Sequence, residues 1–187
     1  MMGYTYFSER QRASFDAWFA SASDDDRAEC VIAWNYGLGG GIETLQSIVE
    51  RPDCDLTTAL TIFWSSDAIL YLAKYPNEQA AKAAGEGDLY KLLASIIHRY
   101  RESGFAHSGL KLDMSDIGGR VSITEKLADH DDLAAPPTMA SSILGRPPVR
   151  TTEFDMYGVP MFIAQLDDPD WGDYVKRTLG SLQIDLF

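Results

Sequence analysis

The chain predicts a mainly α protein, a compact multi-helix orthogonal bundle, and three observations carry that reading. Apolar residues recur at three- and four-residue spacing in several separate segments. Ser, Asp or Asn stands ahead of many of them, where a side-chain oxygen can accept the free N–H groups of a first helical turn. Gly and Pro stand between them, where helices end. The stretch from Trp34 to Trp64, WNYGLGGGIETLQSIVERPDCDLTTALTIFW, concentrates all three features.

Taken in order, Ser8 is placed to cap a first helix whose Phe15, Trp18, Phe19 and Ala22 share one face. Asp24, Asp25 and Asp26 are expected to cap a second helix and to complement the positive end of its dipole, with the helix running to about Tyr36. The triplet reads as capping chemistry rather than a metal site, because three neighbouring aspartates cannot all point one way on a helix. Gly37-Leu38-Gly39-Gly40-Gly41 ends this segment. Ile42, Leu45, Ile48 and Val49 then define an amphipathic third helix, which Pro52 stops. Asp55 is expected to cap a fourth, in which Leu56, Ala59, Leu60, Ile62, Phe63 and Trp64 surround most of the circumference. A helix apolar on nearly all sides belongs inside, so Trp34, Leu60, Phe63 and Trp64 are assigned to the architecture together with the Asp55 cap.

Asp67 starts a short run through Ile69, Leu70 and Leu72, and the alanine-rich Asn77 to Ala84 is a further helix. Asp88 is expected to cap the clearest helix of the chain, with Leu89, Leu92, Leu93, Ile96, Ile97 and Tyr100 in one stripe. Arg99 and Arg101 suit its negative C-terminal end. From Gly104 to Gly119 the chain reads as a long loop, and from Val121 to Leu133 as a helix. Thr138 to Leu144 is a short helical candidate between two Pro-Pro pairs. Residues 151–166 mix turn and strand-like character, which makes them the place for one short β element. Pro169 stands at the start of a last helix carrying Trp171, Tyr174, Val175 and Leu179.

With 187 residues and 45% hydrophobic content, the chain suits a single α-helical domain, 1–187, with a sizeable core. Any seam is expected between Arg101 and Gly119. No run reaches the roughly 18 consecutive apolar residues of a membrane helix, and the N-terminus lacks an apolar block behind a basic start. A cytoplasmic protein is expected. Cys30 and Cys54 read as small buried hydrophobes, with a disulfide between them left open. The 28 Asp and Glu against 16 Lys and Arg give a net charge of −12. That field disfavours nucleic acid and anionic membranes and favours a basic partner, although acidity also serves plain solubility.

Catalytic signatures are few. The glycines lack the Gly-Lys-Ser/Thr of a phosphate loop and the third glycine of the dinucleotide pattern; helix termination accounts for them, with an anion at the start of the Ile42 helix as the weaker alternative. His98 reads as a packing residue beside an apolar stripe. His107 and Ser108 could form part of a base and nucleophile pair, but no Gly-x-Ser-x-Gly elbow supports them. His130, among Asp129, Asp131 and Asp132, resembles a solvated helix end, and Asp167, Asp168, Asp170 and Asp173 depart from a calcium loop at Pro169. No metal site and no cofactor are expected.

Trp34-Asn35-Tyr36, a glycine turn, and then Pro52-x-Cys54-Asp55-Leu56-x-Thr58-Ala59-Leu60-x-Ile62-Phe63-Trp64 resemble an uncharacterised bacterial family of domains of unknown function, the one numbered four-two-seven-four in its series. The likeness covers roughly residues 27–75, within a family-like core of about 27–100 and ahead of a C-terminal part of about 104–187. It implies no activity. Members resemble small accessory proteins, some near toxin loci. Where members carry an acidic pair after Asn-Tyr, this chain has Gly37-Leu38, so a carboxylate role at that turn does not carry over. Asn35 and Tyr36, with Glu43 and Asp53, are the candidate binding residues. The expected function is a non-enzymatic acidic binding protein, with an immunity-type protein that neutralises a basic toxin as its specific form. A small hydrolase using His107 and Ser108, or a self-associating structural module, is the alternative.

Overall fold

A computed structural model describes residues 8–34, 36, 41–113, 135–155 and 158–166. Those residues are mainly helical. Helix α1, Glu9–Ser21, begins with a reciprocal cap: the Ser8 hydroxyl accepts from the Gln11 N–H, and the Gln11 side chain accepts from the Ser8 N–H. Helix α2, Asp24–Ala33, is capped by Ser23, whose hydroxyl accepts from the Asp26 N–H. The aspartates therefore fill the first turn instead of capping it, and the helix stops three residues short of Tyr36. Helix α3, Ile42–Glu50, starts at Gly41 in the left-handed conformation. Helix α4, Leu56–Ser65, has the expected cap: Asp55 Oδ1 accepts from the N–H groups of Thr57 and Thr58 at 2.8 and 3.1 Å.

Helices α5, Ala68–Lys74, and α6, Glu78–Ala83, follow, the second capped by Asn77. Helix α7 spans Gly87–Arg101 and begins at Glu86, so Asp88 lies within its first turn rather than at its cap. Two short helical pieces come later, a 3-10 turn at Pro137–Ala140 and helix α8, Met161–Ala164. The candidate at 138–144 thus reduces to the 3-10 turn, and the predicted helices at 121–133 and beyond Pro169 lie outside the described residues.

Helices α4 and α7 organise the packing. α2 and α5 lean on α4, α3 and α6 lean on α7, and α4 and α7 touch each other. Every residue from Thr57 to Trp64 is buried, which bears out the reading of α4 as apolar on all sides. Its threonines fit because each hydroxyl finds an acceptor: Thr57 donates to the Leu110 carbonyl, Thr58 to Asp55 and Thr61 to the Thr57 carbonyl. No single described helix is long and apolar enough to cross a membrane; α4 and α5 pass only as a pair bent by 59°.

The chain after α7 returns to this core in extended form. Leu56 N–H donates to the Ala106 carbonyl and Ala106 N–H to the Cys54 carbonyl. Isolated bridges pair Leu110 with Arg146 and Leu112 with Ile143. Residues 105–112 are a loop, as the sequence reads, with its backbone docked on the core. Among the described residues of 151–166 the β character amounts to one antiparallel bridge, Phe154 with Pro160, followed at once by α8. Phe105, Leu112, Met139, Val159 and Ile163 join the same hydrophobic cluster as Phe15, Trp34, Ile48, Phe63 and Ile96.

Candidate interaction surface

The turn after α2 is built around a buried Trp34. Two glycines let other segments press on its ring and backbone. A Cβ on Gly41 would lie 2.4 Å from Trp34 Cζ2, and one on Gly158 would lie 2.6 Å from Trp34 Cα. Both glycines also have φ near +80°, at 79° and 84°, where other residues are strained. Tyr36 turns its hydroxyl inward and donates to the Val31 carbonyl at 2.8 Å. Burial, reinforced by the neighbouring Cys30, pushes its phenol well above the ordinary range against the lowering effect of Ser65. Tyr36 is half-buried, so only part of it faces solvent. Asn35 lies outside the described residues.

Glu43 and Asp53 differ sharply. The Glu43 side chain is 80% exposed and meets Arg12 at 3.5 Å. Asp53 sits between two arginines: Arg51 Nε at 3.0 Å and Arg27 Nη1 at 2.9 Å. The hydrogen bond from Arg51, aided by that from Arg27 and opposed by burial, lowers its carboxyl to about 2. Arg27 is nearly buried and also donates to the carbonyls of Phe19 and Ala20, both at 2.9 Å, closing the turn between α1 and α2. Asp53 is thereby part of a structural clamp as well as a surface carboxylate.

Two further polar devices escape sequence reasoning. Arg99 on α7 donates to the carbonyls of Val49, Arg51 and Pro52 at the end of α3, and to that of Gly104. It complements the negative end of α3 in addition to its own helix. Asp25 takes a bidentate contact from Arg146 at 2.5 and 2.6 Å and accepts the Val149 N–H at 2.6 Å. Asp26 accepts from the Thr151 hydroxyl at 2.6 Å. The Arg146 hydrogen bond, with burial opposing and Val149 assisting, lowers Asp25 to about 2. The acidic triplet thus fastens the segment 146–151 to α2. Nothing local in either stretch signals this, because the partners lie 121 residues or more apart.

The remaining candidates are scattered. His98 is 75% exposed, 3.4 Å from Glu102, so it is a surface residue and not the packing residue expected. His107 is exposed, and the Ser108 hydroxyl accepts from the Leu110 N–H at 3.4 Å; no hydrogen bond joins His107 to Ser108. His130 and the aspartates at 167–173 lie outside the described residues. Among the described residues no three His, Cys, Asp or Glu side chains gather as a metal-binding group. Cys30 and Cys54 are both free and buried, which closes the disulfide alternative. Burial pushes both thiols up, Cys54 to about 12, so neither is a ready thiolate at neutral pH.

The described region is a helical scaffold with acidic and arginine-paired surfaces. The family model described as a domain of unknown function, DUF4274, matches residues 22–101, which contain the whole of the stretch singled out in the sequence. No curated protein and no solved structure matches the chain.

Proposed function

We propose that the protein is a non-enzymatic binding protein whose partner is basic, and that it acts in the manner of an immunity protein by covering a toxic partner's cationic surface. The observation that carries this reading is the direction of its arginines. Arg27, Arg51, Arg99 and Arg146 point their guanidinium groups onto the protein's own carboxylates and carbonyls. In a chain of net charge −12, an excess of exposed carboxylates remains to face a partner, among them Glu43, Glu50 and Asp88, whose own contacts are Arg12 at 3.5 Å, Gln46 at 2.6 Å and Lys91 at 4.0 Å. A surface of one sign speeds encounter with the opposite sign and does so less as salt rises.

The test is co-purification from the native host, followed by binding to the captured partner across a salt series. A basic partner is expected, held several-fold more weakly at high salt and by a Glu43→Lys, Asp88→Lys double variant. A partner that is acidic, or bound equally at all salt concentrations, overturns the reading. The immunity role is checked separately by co-expression: the chain must restore growth to cells producing the partner.

A further inference from the structure

The segment 146–151 lies on α2 without sharing in the core. Pro148 is half-buried and the other five residues are exposed. None of them joins the hydrophobic cluster. Its backbone is anchored at the near end, where the Arg146 N–H donates to the Gly109 carbonyl and the Arg146 carbonyl accepts from the Lys111 N–H. Just past the far end, the Glu153 carbonyl accepts from the Met161 N–H. Between these anchors the segment is a strap, tied to α2 through the carboxylates of Asp25 and Asp26.

The principal tie is a fork. Arg146 Nη1 donates to Asp25 Oδ1 at 2.5 Å and Nη2 to Oδ2 at 2.6 Å, so both carboxylate oxygens are taken by one guanidinium. The arginine side chain is 54% exposed and the aspartate 16%, so water reaches the pair from the arginine side. An ion pair open to water is weak and exchangeable, because other cations compete for the carboxylate. A guanidinium from another molecule can take the same fork once Arg146 leaves it. The strap has no apolar burial to lose when it lets go, and its two anchors keep it close to α2.

We propose that the strap is an autoinhibitory clasp: Arg146 occupies Asp25 in place of an arginine of the basic partner, which engages Asp25 by exchanging with it and lifting 147–151 off α2. The inference rests on the partner proposed above and names the group exchanged, a guanidinium, and the residue that regulates access. Lysine is a poorer competitor, because an ammonium cannot make the two parallel bonds of the fork. Apparent affinity falls with the open fraction, so a clasp closed about ten times as often as open weakens binding about tenfold.

The experiment is a titration of the full chain with a capped hexa-arginine peptide, followed by amide NMR, with capped hexalysine as the charge-matched control. In the wild type, hexa-arginine is expected to shift the Val149 amide as its bond to Asp25 breaks, while the amides of α4 stay in place. Arg146→Ala opens the clasp and is expected to bind hexa-arginine about tenfold tighter. Arg150, whose guanidinium lies over Phe154, supplies the control: Arg150→Ala removes the same charge from the strap and is expected to change affinity about twofold at most. Equal affinity of wild type and Arg146→Ala, equal tightening in Arg150→Ala, an unmoved Val149 amide, or hexalysine as potent as hexa-arginine overturns the inference. With a synthetic probe these outcomes bear on the clasp alone, whereas an acidic co-purified partner bears on the proposed function.

Discussion

The helices from α2 to α7 and the later segments 105–113 and 135–166 share one core but are held in it by different forces. The helices bury apolar residues in periodic stripes, and α2, α4 and α6 are capped by the side chains of Ser23, Asp55 and Asn77 just ahead of them, so their signals are local. The later segments make little repetitive structure. They are fixed at points: Trp64 Nε1 to the Met139 carbonyl at 2.9 Å, Thr57 to Leu110, Gly158 against Trp34, and Arg146 on Asp25. A region built on periodic burial loses stability when its area is reduced, whereas a region built on point contacts loosens locally when one contact is cut.

The largest effect is expected where both kinds of support meet. Trp64 is buried on α4, stacks edge-on with Phe63 at 4.9 Å and holds Met139 through its indole N–H. Trp64→Ala should cost about 3–5 kcal/mol in urea-induced unfolding, and Trp64→Phe clearly less. If both cost the same, the indole N–H and not the buried area dominates, and the contrast between the two regions fails at its centre. Next comes Arg27, which ties Phe19, Ala20 and Asp53 together. Arg27→Met keeps the stem and removes the donors, and should cost about 2–3 kcal/mol because buried carbonyls lose charged partners. A smaller loss, about 1 kcal/mol, is expected for Asp55→Ala as the loss of an N-cap. Asp55→Asn should recover much of it, since an amide oxygen also accepts backbone N–H bonds.

The same contrast explains what the sequence made legible. α1, α3, α4 and α7 announce themselves because apolar periodicity and caps are short-range signals: Ser8 with Gln11, or Asp55 with Thr57 and Thr58, lie within three residues of each other. The boundaries that shifted did so by capping choice, Ser23 in place of Asp24 and Glu86 in place of Asp88. The docking of 105–112 was hidden because its backbone bonds go to residues distant in the chain, those of Ala106 to Cys54 and Leu56 and those of Gly109, Lys111 and Leu112 to Ile143 and Arg146, and main-chain pairing leaves no composition signal. His98 was misread for a related reason: its place next to an apolar stripe does not decide which side of α7 it occupies. Of the binding candidates, Glu43 was legible as an exposed carboxylate. The clamp on Asp53 required Arg27, Arg51 and Phe19 to be brought together by the fold.

The smallest global effect, and the most informative local one, concerns the strap at 146–151. Asp25 and Asp53 both titrate at about 2 in the folded chain, below the ~3.9 of an unfolded aspartate. A lowered folded value means that the ionised form is the one the fold favours. Their stabilisation is therefore complete above the unfolded value and is lost as pH falls from about 4 towards 2. Arg146→Ala should reproduce the Asp25 part of this loss at neutral pH. Hydrogen exchange should quicken at Val149, whose N–H is held by Asp25, while the amides of α4 keep their protection and the unfolding midpoint barely moves. Wild type brought down through the same acid window should loosen at Val149 before α4 exchanges. If the strap and α4 instead lose protection together, the two regions form one cooperative unit, and the point contacts contribute as much to the helical core as its own apolar stripes do.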